Sequence, residues 1–149
     1  MPIDVSATAL IRRPAAAVAA YATDPERERD WIAGIKESKK RTPGPVAKGM
    51  QVERIAYFMG KRVDYILEVA DYQPERVLDM RSVKSPFPMR VTYTFEPADG
   101  GTRARIRIRG GMTGFVAWLT RPLMAMMVKR NITRDLKQLK ANLEANQGG

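Results

Sequence analysis

The chain has 149 residues, 44% of them apolar, with 26 Lys and Arg against 16 Asp and Glu, a net charge of +10. That is the size of one domain, spanning 1–149, large enough to bury roughly two thirds of its unfolded surface. It holds no cysteine and no histidine, which excludes disulfides, structural zinc, thiolate chemistry and His-based triads, and leaves any catalysis to Asp, Glu, Lys, Arg or Tyr.

The N-terminus shows no basic region followed by an apolar stretch, and no run approaches the ~18 apolar residues of a membrane span. A cytoplasmic protein is expected, with anionic partners favoured by the charge. Ile3, Val5, Ala7 and Ala9 alternate with Asp4, Ser6 and Thr8 as the first strand. Arg13-Pro14 stops it, since proline has no N–H for a ladder and suits the first turn of a helix. Ala15 to Ala22 reads as a small-residue helix. Asp24-Pro25-Glu26 starts a second short one, with a capping aspartate and Pro at N1, that ends at Trp31. Trp31 is the main apolar anchor after the charged run Glu26 to Asp30 and is expected to be buried near a cavity.

Glu37 to Thr42 is polar and basic and closes in the turn-rich Thr42-Pro43-Gly44-Pro45. Met50 to Phe58, Val63 to Tyr72, Val77 to Lys84, Met89 to Glu96 and Thr102 to Gly110 read as successive strands joined by short loops, an antiparallel meander. In Met50 to Phe58, Arg54 interrupts the alternation between Val52 and Ala56, so its faces stay unassigned and a bulge is one way to account for it. Asp99-Gly100 predicts a type I′ hairpin pairing Ala98 with Gly101. That register puts Val91, Tyr93 and Phe95 with Ala104, Ile106 and Ile108 on one face and Arg103, Arg105, Arg107 and Arg109 on the other. A one-residue slip would bury four arginines. The outward stripe reads as a solvated face; it lacks base-stacking aromatics, and nucleic acid is not an expected partner.

From Gly114 the chain reads as helical, interrupted or restarted near Thr120-Arg121-Pro122, with the C-terminal helix expected over about 121–146. Ile132, Leu136, Leu139 and Leu143 fall within an arc of about 60° as a core stripe. The segment from Phe115 to Val128 leaves almost no polar face and is expected to be covered on more than one side. Its covers are the pocket and sheet, a second subunit or an anionic membrane, the last suggested by Arg121, Lys129 and Arg130. Asn131-Ile132-Thr133 matches a glycosylation pattern but sits in a helix, and is read as chance.

The ordered set Val5-Ser6-Ala7-Thr8, Arg13-Pro14 with Val18 and Tyr21, Asp24-Pro25, Trp31 with Gly34-Ile35, and the terminal Arg134-Asp135-Leu136-Lys137-Gln138-Leu139-Lys140 with Leu143-Glu144 resembles the START-like (SRPBCC) superfamily, which includes polyketide cyclase/dehydrase and lipid-transport proteins. The resemblance implies an α+β helix-grip fold: a curved seven-stranded antiparallel sheet wrapped around a long C-terminal helix, two short helices after the first strand, and a mostly apolar cavity.

The leading expectation is a protein that binds a hydrophobic or amphipathic small molecule such as a lipid, polyketide or quinone. The alternatives are a cyclase/dehydratase-type enzyme and a non-catalytic interaction subunit. Trp31, Tyr65, Leu67, Met80, Met89, Tyr93, Trp118 and Met126 are the expected ligand-lining residues, from strand alternation and from their place on the apolar helix segment. No metal, cofactor or catalytic residue is assigned. Asp64, Arg81 and Arg90 would be acid or base helpers, but alternation points them outward. Homodimerisation through the apolar half of the helix and peripheral contact with an anionic membrane complete the expected partners.

Overall fold

The computed structural model describes residues 3–58, 60–85, 88–110 and 115–145, without the side chains of 58 and 115–118. The elements are β1 (Ile3–Ile11), α1 (Ala15–Ala22), a 3-10 helix (Pro25–Asp30), β2 (Ile35–Lys40), β3 (Gln51–Phe58), β4 (Lys61–Gln73), β5 (Val77–Lys84), β6 (Met89–Ala98), β7 (Gly101–Gly110) and α2 (Phe115–Ala145). All seven strands form one antiparallel sheet in the order β1-β7-β6-β5-β4-β3-β2. The first strand returns beside the last, so the sheet curls into a half-barrel and leaves β1 and β2 as its edges. This is the helix-grip architecture.

Local chemistry accounts for the boundaries. Asp24 accepts a hydrogen bond from the Glu26 N–H at 3.0 Å with Pro25 at N1, which starts the 3-10 helix as the capping pattern predicts. The β6–β7 register is the one expected, Tyr93 opposite Ile106 and Ala98 opposite Gly101. The turn itself differs. Gly100 has φ of +81° but Asp99 does not lie at positive φ, so the turn is not type I′. One glycine carries all the left-handed backbone. Gly101 is needed for a different reason: a Cβ there would stand 2.1 Å from the Ile11 carbonyl oxygen, where β7 starts against the end of β1.

Residues 35–40 supply the seventh expected strand, pairing with β3 at the sheet edge despite their polarity, because an edge with only Ile35 buried needs little apolar content. Two sequence-based expectations need correction. β3 carries no bulge: its ladder to β4 is regular, and the irregularity lies in β2 between Ile35 and Glu37. Arg54 therefore faces inward with Val52 and Ala56. Finally, α2 begins at Phe115, not near 121, and runs through Pro122. Proline removes one i→i−4 bond and crowds the preceding turn, and the continuous core stripe downstream holds the helix.

That stripe is in place. Ile132, Leu136, Leu139 and Leu143 are buried in a single core with Ile11, Val18, Trp31, Leu67, Met80, Tyr93, Phe95 and Ile106. Each fully buried Leu or Ile contributes about 1.5–3 kcal/mol. The far end of α2 is stitched to the end of β1 and the residues after it. The Lys140 ammonium donates to the Leu10 carbonyl (2.8 Å), the Arg13 guanidinium to the Leu143 carbonyl (2.9 Å) and the Arg12 N–H to Glu144 (3.0 Å). The arginine stripe of β7 lies on the outer face, where Asp4 pairs with Arg107 and Glu96 faces Arg103 at 4.0 Å.

Candidate functional site

Curling the sheet around α2 leaves a cavity of about 200 Å³ at the Ile3 and Gly110 ends of β1 and β7. Ile32, Ile35, Val63, Met89 and Ile108 form apolar walls, and α2 closes it with Met124, Val128, Asn131, Ile132 and Asp135. Tyr65 lines the sheet side; the exposed Tyr57 stands at the mouth. The helical spacing explains the second wall, since 124, 128, 131 and 135 recur on one face at i, i+4, i+7 and i+11.

Of the expected lining residues, Tyr65 and Met89 stand on this cavity. Trp31, Leu67, Met80 and Tyr93 do not: they are packed solidly in the core beneath it. Strand alternation assigns a face, and one inward face supplies both the filled core and the cavity wall. Met126 is 57% exposed and turned away from the cavity, because the α2 phase brings 124 and 128 inward instead. The side chain of Trp118 lies outside the described residues. Asp64, Arg81 and Arg90 are on the outer face as alternation indicates, paired with Arg62, Glu68 and Asp79 respectively.

The charged residues that matter were not found by pattern. Glu28 and Arg54 are 2% and 3% exposed and make a fork of two hydrogen bonds, 2.8 Å from Arg54 Nε and 2.6 Å from Nη2. Ser38 donates to the same Glu28 carboxylate at 2.7 Å, and Arg54 Nη2 reaches the Tyr93 hydroxyl at 3.4 Å. Burial alone would lower the Arg54 pKa, but the Glu28 carboxylate more than offsets it and holds the guanidinium charge firmly. Tyr93, edge-on to Trp31 with ring centroids 5.9 Å apart, has its hydroxyl pKa pushed up to about 12, first by burial. Arg54 also lies directly opposite Tyr65 across the β3–β4 ladder, so the ion pair underlies the cavity wall.

Asp135 is the second such residue. It is buried on the cavity wall, accepts the Ala33 N–H at 3.2 Å and meets Arg134 Nε at 3.4 Å. Burial pushes its carboxyl pKa up despite those partners. A carboxyl group with a raised pKa, a neighbouring amide (Asn131) and Arg134 on the helix side, with a phenol (Tyr65) and Arg109 on the sheet side, give the cavity its polar atoms. They can donate to or accept from a ligand hydroxyl or carbonyl. Among the described residues no group of His, Cys, Asp and Glu could hold a metal ion, and no helix is long and apolar enough to cross a membrane.

Comparison with solved structures supports the architecture. TTHA0849 from Thermus thermophilus superposes with a TM-score of 0.82 at 20% identity, covering 99% of this chain and 100% of that one. The ZhuI aromatase/cyclase from Streptomyces sp. R1128 gives 0.80 at 17% identity over 100% and 99%. A START superfamily protein from Mycobacterium smegmatis gives 0.79 at 14% identity over 95% and 97%. At these identities the likeness is one of fold. No curated protein matches the chain in sequence. The family model described as polyketide cyclase/dehydrase and lipid transport matches residues 2–144, and with the helix-grip fold around it the chain belongs to that family of the START-like superfamily.

Proposed function

We propose that the protein binds a hydrophobic or amphipathic small molecule in the cavity between the sheet and α2. The observation that carries this is the cavity itself, its walls mostly apolar, with polar groups at Arg109 and Tyr65 on the sheet side and at Asn131, Arg134 and Asp135 on the helix side. Such a lining suits a molecule with an apolar body and one hydrogen-bonding end. At about 200 Å³ the space is below the ~300–1,000 Å³ common for ligand sites, so a ring or short chain fits and a longer tail would leave past Tyr57. Met89 and Met124 can repack around different occupants at small cost.

Native mass spectrometry of the purified protein, followed by organic extraction, tests for a copurified molecule. Uptake of an environment-sensitive apolar dye gives a second readout. Val63→Trp, which fills the cavity, should lower dye binding at least about tenfold while the far-ultraviolet circular dichroism is unchanged. Equal dye binding by that variant would remove the cavity as the site.

A second reading, a cyclase or dehydratase-type enzyme, is favoured by one specific feature: Asp135, with its raised pKa, shares the wall with Tyr65. In a chain without histidine, such a carboxyl is the residue suited to giving a proton to a departing hydroxyl and, once ionised, taking one from carbon. The aromatase/cyclase fold neighbour agrees with this reading. Asp135→Asn would abolish such a reaction and leave dye binding intact. The interaction-subunit reading would gain from a filled core, and the cavity does not give it that support.

A further inference from the structure

The apolar first half of α2 is not covered on both sides. Met124 and Val128 face the cavity, but Leu119, Leu123 and Met126 on the opposite side are 62%, 51% and 57% exposed. At about 100° per residue these three share an arc of about 60° with Arg130 and Lys137, with Arg134 at its border. The result is one solvent-facing stripe about 27 Å long, apolar at its start and basic along its second half. Asp135 is the only acid between Leu119 and Leu143, and it is buried on the cavity side. Among the described residues neither Arg130 nor Lys137 meets a carboxylate within salt-bridge distance. Lys129 is different: its ammonium is held by the Ser6 carbonyl of β1, and Arg121 is half-buried.

We infer that this stripe is a docking surface for an anionic phospholipid membrane. Leu119, Leu123 and Met126 would enter the headgroup boundary, while Arg130, Arg134 and Lys137 meet the negative lipids. The charge pattern argues for lipid over a second copy of the chain. Two copies joined through this face would bring Arg130 and Lys137 to a surface with no acid to pair them, whereas anionic headgroups supply the missing charge. The exposed apolar residues are too few to insert deeply, so the attachment is reversible and shared between burial and charge. The inward side of the same turns forms the cavity wall, so docking sets the cavity beside the source of an amphipathic ligand.

The test is cosedimentation of the full chain with phosphatidylcholine vesicles, alone or with about a third phosphatidylserine. Binding is expected on the anionic vesicles only. It should weaken sharply as salt rises from about 0.01 to about 0.15 M, where the Debye length shortens from ~30 to ~8 Å. Arg130→Glu with Lys137→Glu, and separately Leu119→Ser with Leu123→Ser, should each lower binding at least about tenfold. All four sites are exposed, and circular dichroism checks that each variant keeps its fold. Equal binding to neutral vesicles, or unchanged binding by both double variants, overturns the inference. So does a dimer in sedimentation velocity that the Leu119→Ser/Leu123→Ser variant dissolves while no vesicles are bound. Vesicle binding requires no cavity ligand, so this outcome is independent of the dye and extraction experiments.

Discussion

A guanidinium among Val52, Ala56 and Tyr93 loses several kcal/mol of hydration unless a carboxylate meets it, and Glu28 does so with two hydrogen bonds. Removing one partner leaves the other charge stranded. Arg54→Met is expected to cost about 3–5 kcal/mol in denaturant titrations, and adding Glu28→Leu should recover most of that loss. A single variant with wild-type stability would show that the pair is not buried in solution. Tyr93 supplies a pH signature. Its folded pKa, about 12, exceeds the unfolded value near 10, so the folded state holds the proton more tightly. That stabilisation is complete below pH ~10 and is lost as pH rises through the folded pKa, about 2–3 kcal/mol in all. Tyr93→Phe should flatten the decline in melting temperature between those values. None of this was legible in the sequence: Arg54 only interrupts an alternation, and its partner lies 26 positions away in a run of charged residues.

At the level of elements, the 3-10 helix works as a plug. Its charged residues pattern as solvent-facing, yet it delivers Glu28 and Trp31 into the core from consecutive turns. Trp31→Ala should cost about 3–5 kcal/mol by denaturant titration. Trp31→Phe should cost much less, since the indole N–H is buried without a hydrogen-bond partner among the described residues and its loss leaves nothing unpaired. Comparable losses for both would show that the N–H matters. The β6–β7 hairpin was fully legible, register included, because a slip would bury arginines. The turn type was not, since Asp-Gly fits more than one backbone and the close approach of Gly101 to Ile11 enters the choice.

For the whole molecule, among the described residues the sheet has no second layer other than α2 with the short helices. The concave face of the strands finds its apolar cover in Ile132, Leu136, Leu139 and Leu143. A chain ending at residue 130 lacks all four and the stitches to Leu10 and Arg13. It is expected to show no cooperative thermal transition by calorimetry. A sharp transition in that truncated chain would mean the sheet closes its own core. The same dependence makes Val63→Trp informative, because filling the cavity pushes on α2 while touching its stripe only at Ile132.

Periodicity was enough to determine the meander, the β7 arginines on the outer face and the apolar stripe of α2, because each rests on a local repeat that burial enforces. The helix-grip plan came from the family resemblance carried by the ordered motifs along the chain, not from periodicity. Which inward residues border empty space was decided only by the tertiary structure: alternation cannot separate Tyr65, on the cavity, from Tyr93, in the filled core. It also took the fold to bring Asp135 to the wall and Glu28 to Arg54. A charge is stable in the interior only beside a partner, and partners distant in sequence meet only when the sheet has curled around the helix.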